Sequence, residues 1–234
     1  PAAPNGGYED FGGEWEEPTG KFNITWDVAD DVMTYLTLSR SYKSGGFNPI
    51  SSSSPVLAED ASLAEFDPEY INAFEIGLKS RFFDQTLQSN ISFFYYDYEG
   101  LQISTINNQT ALNLNYDATI QGIEAEFVWV PTDNWRFSSN LAWLDSAMDG
   151  GSSLDTADIN TLGTTENIIS SPNSNVYVGA GCPEGVFPCS GLVKSLDGNE
   201  MPNAPNFSVN LGVSYGFYLE SGMELVAATN YYWQ

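Results

Sequence analysis

Hydrophobic and polar residues alternate along most of this chain with a period of two. Between residues 207 and 216, aromatic and aliphatic side chains occupy the odd positions, and Ser, Asn and Gly occupy the even ones. The same alternation recurs in eight segments: 18–28, 31–44, 67–82, 86–106, 111–130, 134–148, 204–217 and 222–234. Because successive side chains of a β-strand point to opposite faces, we predict eight strands and an all-β fold.

The length of these segments separates membrane strands from soluble ones. Most of them have ten residues or more, whereas strands of soluble domains usually have about 5–6. A strand needs about 9–11 residues to cross the hydrocarbon of a bilayer. Uninterrupted apolar runs stay far below the ~18–20 residues of a membrane helix. The pattern therefore favours membrane-spanning β-strands with one apolar face towards lipid and one polar face towards a wet lumen.

The predicted connections alternate between short and long. The short turns lie at 29–30, 83–85, 131–133 and 218–221, and the longer connections at 45–66, 107–110 and 149–203. Short turns at one end and long loops at the other are typical of bacterial outer-membrane barrels. We therefore predict an antiparallel up-and-down segment of a transmembrane β-barrel. Tryptophans near predicted strand ends fit an interfacial girdle: Trp26, Trp129, Trp135 and Trp143.

The composition narrows the chemistry. Asp and Glu number 31 against 7 Lys and Arg, giving a formal net charge of −24, and this argues against a nucleic-acid partner, which requires clustered cations. The chain has no His and no motif of a hydrolase or nucleotide-binding enzyme. We therefore expect no catalytic residues, no metal site, no cofactor and no enzymatic activity.

The two cysteines lie seven residues apart. Cys182 and Cys189 fall in a Gly- and Pro-rich stretch of the longest connection. We predict a disulfide that closes a small loop in an oxidising compartment. Two free thiols are the alternative.

Three stretches of the chain resemble the TonB-dependent receptor family. The first is DVMTYLTLSRSYKSGGFN at 31–48, the second is FDPE at 66–69 followed by FEIGLKS at 74–80, and the third is FYYDY at 94–98 followed by GIEAE at 122–126. Their order and spacing also resemble that family, over nearly all of residues 14–234 except the longest loop.

This resemblance implies a barrel of 22 strands whose lumen holds an N-terminal plug. We expect the chain to be about eight strands from the second half of such a barrel, incomplete at both ends and without the plug and its TonB box. Residues 1–17 would be the remnant of an extracellular loop, and 45–66, 107–110 and 149–203 would be extracellular loops. The implied partners are the TonB complex acting through the plug, outer-membrane lipid and a small-molecule substrate such as a ferric siderophore.

Nine residues are the candidates for contact with substrate or plug: Tyr42, Lys43, Phe47, Asn48, Glu75, Tyr96, Tyr98, Glu124 and Glu126. Glu75, Glu124 and Glu126 share the polar face of neighbouring strands. The alternative for the segment 43–48 is a structural role. Its two glycines permit a bend, and its aromatic residue can pack on the plug or on a neighbouring strand.

Two other functions fit the same pattern. A passive porin or an adhesin-like barrel would have similar strands and loops. A soluble, carbohydrate-binding β-sandwich would show the same alternation, with its apolar faces turned inward.

Overall fold

The computed structural model of the protein describes residues 12–49, 61–107, 110–154 and 193–234. Eight long strands form one antiparallel sheet, in the order β1-β2-β5-β6-β7-β8-β11-β12. They are β1 Gly20–Ala29, β2 Val32–Lys43, β5 Glu69–Phe82, β6 Leu87–Asn107, β7 Thr110–Trp129, β8 Trp135–Asp149, β11 Phe207–Tyr218 and β12 Glu224–Trp233. Within the described residues, no helix is long and apolar enough to cross a membrane.

The eight predicted strands and their up-and-down order are confirmed. Each of these eight strands pairs with the next of the eight along the chain, and the strand ends differ from the predicted ones by a few residues. The structure adds two small pairs that the alternation did not predict: β3 Gly46–Phe47 with β4 Glu65–Phe66, and β9 Ser152–Leu154 with β10 Val193–Ser195. A short 3-10 helix, Ala61–Ala64, precedes β4. These elements lie within the predicted loops, where no period of two marks them.

One face of the sheet carries large apolar side chains that remain exposed. They include Phe22, Ile24, Trp26, Ile76, Leu78, Ile91, Phe93, Ile123, Trp143, Phe207 and Leu211. A β-sandwich would bury such a face against a second sheet, but the described residues form one large sheet and leave this face open. The exposed apolar face is what a barrel presents to lipid, and we call it the outer face. The opposite face is the lumen face.

Aromatic side chains border the outer face at both ends. At the end with short turns, stacked and edge-on contacts of 4.6–5.6 Å between ring centroids join Trp129, Phe137, Trp135, Tyr215 and Phe217. Towards the loop end, Phe207 lies 5.9 Å from Trp233. Along β6, the outer-face residues from Leu87 to Tyr95 are apolar except for the buried Ser89, over about 26 Å at ~3.3 Å per residue. With the tilt of barrel strands, this length suits an apolar band of ~25 Å.

A β-bulge divides β6 into two parts. Tyr98 pairs with Ala118, whereas Leu101 pairs with Tyr116, so Glu99 and Gly100 together oppose one residue of β7. Gly100 has a φ of +68°, a conformation that costs glycine little, and its N–H donates to Asp117 Oδ1 at 2.8 Å. Beyond the bulge, the β6–β7 hairpin continues past β5 and β8. The long loops therefore meet a projecting hairpin as well as the rim of the sheet.

Candidate functional site: the lumen face

On the lumen face, one row of paired residues crosses five strands. Tyr35 pairs with Gly77, Gly77 with Ser92, Ser92 with Glu124 and Glu124 with Ala142. Glu75 lies in the next lumen-face row towards the loops, and Glu126 lies in the next row towards the short turns. The predicted grouping of Glu75, Glu124 and Glu126 on one face therefore agrees with the register.

The centre of this surface is organised by Tyr35. Its hydroxyl donates a short hydrogen bond to the Glu75 carboxylate, and its ring lies 5.6 Å from Nζ of Lys79. The ring occupies the space above Gly77, where a Cβ atom would lie 2.3 Å from Tyr35 Cε1. Glycine at this position thus lets an aromatic ring lie flat on the neighbouring strand, and the ring holds one carboxylate and one ammonium group in place.

Glu124 and Glu126 line a shallow cavity of about 480 Å³ on the lumen face. Both carboxylates belong to exposed residues, and Glu126 accepts a hydrogen bond of 3.0 Å from Asn90 Nδ2. The other lining residues include Lys79, Ser92, Asn140, Ser208, Asn210 and Tyr232. This surface is hydrogen-bonding and net acidic, so it suits a basic or hydroxyl-rich partner.

Aromatic character increases towards the loop end of the lumen face. Tyr96 stacks on Phe94 with ring centroids 5.0 Å apart, and Tyr98 follows on the same face. Both tyrosines are partly exposed, whereas Phe94 is buried. Stacked rings with exposed edges and hydroxyls offer contacts to a flat or conjugated ligand.

Tyr42 and Lys43 lie on opposite sides of β2. Lys43 is exposed and continues the lumen face, in register with Glu69. Tyr42 continues the outer face, where its ring lies 6.5 Å from that of Tyr70 and its hydroxyl donates to the Trp15 carbonyl at 3.2 Å. Only Lys43 of this pair is therefore placed to meet a molecule in the lumen.

Phe47 and Asn48 belong to a network that joins the loops to the projecting hairpin. Phe47 lies 6.0 Å from Trp15. Asn48 is buried; its Nδ2 donates to Leu63 O at 2.9 Å and to Asn113 O at 3.0 Å, and its Oδ1 accepts from Asn113 N at 2.7 Å. The side chain of Asn48 is therefore bonded to the backbone of β7, and it holds its loop against the hairpin.

Further polar side chains fasten the same loops to the hairpin. Asn115 Nδ2 donates to Asp67 O at 2.8 Å and to Gly100 O at 2.7 Å. Gln102 donates from its backbone to Glu69 Oε2 at 2.8 Å and from its side chain to Ser44 O at 2.9 Å. These contacts join residues far apart in the chain, and sequence reasoning missed them. The glycine at 100 within a strand pattern was the available signal for a bulge.

We predict that Asn48→Ala loosens this network. It removes three hydrogen bonds and leaves the polar backbone of Asn113 without its partner, at a cost of about 1–3 kcal/mol. Limited proteolysis of the protein in detergent is expected to cut the 45–66 connection several times faster than in wild type. Asn23→Ala serves as the control, because the exposed side chain of Asn23 bonds from the edge strand β1 to β2. Equal cleavage rates in all three proteins would contradict the bracing role of Asn48.

The predicted disulfide between Cys182 and Cys189 lies outside the described residues, as does most of the 149–203 connection. Their pairing stays a prediction.

Several solved structures resemble this fold. The ferric yersiniabactin uptake receptor FyuA from Yersinia pestis matches with a TM-score of 0.54 and 17% identity, over 86% of this chain and 23% of that one. BauA, the ferric preacinetobactin receptor from Acinetobacter baumannii, matches with a TM-score of 0.53 and 16% identity, over 91% and 25%. The copper transporter OprC matches with a TM-score of 0.51 and 15% identity, over 84% and 24%. The chain thus spans about a quarter of the length of these structures.

The sequence itself matches a family model over almost its whole length. That model describes the TonB dependent receptor-like β-barrel, and it covers residues 3–234. Barrels of this family sit in the bacterial outer membrane. The eight-stranded sheet, its exposed apolar face and this match lead to one conclusion: the chain belongs to the TonB-dependent receptor-like β-barrel family.

Proposed function

We propose that this chain is part of the wall of an energy-coupled importer that takes up a scarce nutrient, such as a ferric siderophore, across the outer membrane. The observation that carries this proposal is the lumen face, where fixed carboxylates at mid-height give way to stacked aromatic rings towards the loops. A wall of this kind can bind a small molecule by stacking near its entrance and hold polar protein segments further down.

In this proposal the long loops at 45–66, 107–110 and 149–203 face the outside of the cell, and residues 12–17 belong to another such loop. The short turns face the periplasm. Substrate meets Tyr96, Tyr98 and Lys43 first. Glu75, Glu124 and Glu126 contact a plug contributed by other residues of the complete protein, on which the TonB complex acts. The wall binds and orients and performs no chemistry.

The Glu124→Gln/Glu126→Gln double variant tests the lumen carboxylates in the complete protein. We expect uptake of a radiolabelled ferric chelate by whole cells to fall at least tenfold. Two charge-assisted contacts of about 1.5–3 kcal/mol each become neutral contacts of about 0.5–1.5 kcal/mol each, and a loss of about 1.4 kcal/mol corresponds to a factor of ten. Asp84→Asn/Glu220→Gln changes the charge equally in two short turns and is the control. The cargoes named for the similar structures, ferric siderophores and copper, are the first to try.

Deleting TonB from the same cells separates the proposed importer from a passive barrel. An importer loses uptake without TonB, and a porin keeps it. An adhesin-like barrel transports nothing in either strain. TonB-independent diffusion of the chelate would therefore overturn the proposed function, even if the carboxylate variants behaved as expected.

A further inference from the structure

A single basic side chain points outward from the described sheet. Six of the seven Lys and Arg lie in its strands, and strand register places Lys21, Lys43, Lys79, Arg81 and Arg136 on the lumen face. Arg40 alone among these six lies on the outer face. It occupies the first polar row above the apolar band, where it pairs with Asn72 on β5, and Asn72 pairs with Asp97 on β6. This is the level at which the headgroups of lipids lie.

The guanidinium of Arg40 is held in place but incompletely bonded. Nη1 donates to Asn72 Oδ1 at 2.6 Å, and the group lies 4.9 Å from the centre of the Tyr70 ring. Glu99 is 3.8 Å away and more than half exposed, so this ion pair is long and weak. A guanidinium has five N–H donors. Among the described residues, its contacts are those of Nη1 with Asn72 and Glu99 and that of the whole group with the Tyr70 ring. Several donors therefore remain for an external acceptor.

The surface beside and below Arg40 is open and apolar. Gly20 pairs with Arg40 across the β1–β2 ladder, and a Cβ atom at Gly20 would meet nothing within 4 Å. A groove of about 630 Å³ runs from this opening over Phe22, Leu38, Phe74 and Tyr95. An apolar groove that ends at a fixed cation matches a molecule with a hydrocarbon chain and an anionic head.

We infer that Arg40 and this groove form a binding site for a phosphate-bearing lipid of the loop-side leaflet. The phosphate accepts hydrogen bonds from Arg40 over Gly20, and an acyl chain lies along Leu38, Phe74 and Tyr95. Three carboxylates border the site: Asp97, which lines the groove two strands from Arg40, Glu99, 3.8 Å from the guanidinium, and Glu17, which accepts a hydrogen bond of 2.8 Å from the Tyr70 hydroxyl. The phosphate therefore approaches over Gly20, where a Cβ atom would meet nothing within 4 Å. A planar guanidinium is well suited to phosphate.

Native mass spectrometry of the complete transporter tests this site. The protein is purified into nanodiscs of phosphatidylcholine with one-tenth phosphatidic acid, and the retained lipids are counted after release. Wild type is expected to retain one phosphatidic acid molecule, and Arg40→Gln to lower its occupancy at least fivefold. Gly20→Leu fills the open space and is expected to give the same loss. Arg136→Gln removes an equal charge from the lumen face and is expected to change nothing. Glycerol 3-phosphate, a headgroup without chains, is expected not to displace the lipid.

Folding is checked separately by the mobility of unheated samples in gels. Folded Arg40→Gln and Gly20→Leu proteins that keep wild-type occupancy would overturn the site. So would a loss in Arg136→Gln equal to that in Arg40→Gln, or equal retention of phosphatidylcholine in place of phosphatidic acid.

Discussion

Replacement of Gly122 by leucine is expected to destabilise the folded sheet strongly. A Cβ atom at this position would lie 2.5 Å from the Trp143 carbonyl oxygen and 2.6 Å from the Phe94 ring. The backbone of β8 cannot move away without breaking its ladder to β7. We expect a destabilisation of about 3 kcal/mol or more, at the upper end of overpacking effects. Urea unfolding in lipid vesicles and gel mobility of unheated samples measure it.

Two further variants locate the cause. Gly20→Leu adds the same side chain where nothing lies within 4 Å, and its stability is expected to equal that of wild type. Phe94→Ala/Gly122→Leu removes the ring but leaves the Trp143 carbonyl in place, so the double variant is expected to remain defective. Full rescue by Phe94→Ala would mean that β8 yields and that the backbone contact is not the limiting one.

Replacement of Ile91 by arginine is expected to cost about 2–4 kcal/mol, the penalty for a basic side chain on the lipid face at mid-membrane. Ile91 lies midway between the two aromatic borders of the outer face and is 40% exposed. The arginine would have to extend its charge out of the hydrocarbon or bring water in. The unfolding free energy in vesicles of defined thickness measures the cost, and thinner bilayers should reduce it.

The adjacent residue provides the matched control. Asn90 points into the lumen and donates to Glu126, so an arginine there meets water and a carboxylate. Asn90→Arg is expected to change the unfolding free energy by less than about 1 kcal/mol. A penalty as large as that of Ile91→Arg would show that the two faces have been assigned the wrong way round.

The strands could be predicted because one rule governs every spanning residue. A side chain faces lipid or water, and the period of two records this choice in the sequence. The register then followed from the turns, and Glu75, Glu124, Glu126, Tyr96 and Tyr98 reached the lumen face as predicted from their positions in the alternation.

The loop end could not be predicted in this way. Asn48 and Asn113 are 65 residues apart, and no local pattern links a loop asparagine to a strand backbone at that distance. Tyr42 is a different case, because its position next to Lys43 already meant that the two could not share a face. Both residues fall within the predicted strand at 31–44, where the alternation assigns them to opposite faces.

The bulge at Glu99 and Gly100 has a consequence for how mutations are tolerated. Below it, even-numbered residues of β6 face the lumen; above it, Leu101 rather than an even-numbered residue stands beside Tyr116. A deep mutational scan of β6 should therefore give an oscillating tolerance profile whose phase inverts at Gly100. Deletion of either bulge residue would restore one-to-one pairing, leave Leu101 beside Tyr116 and keep every later side chain of the hairpin on its present side. One-residue deletions should thus be tolerated at the bulge and selected against in the regular ladder below it, where they turn side chains to the opposite face.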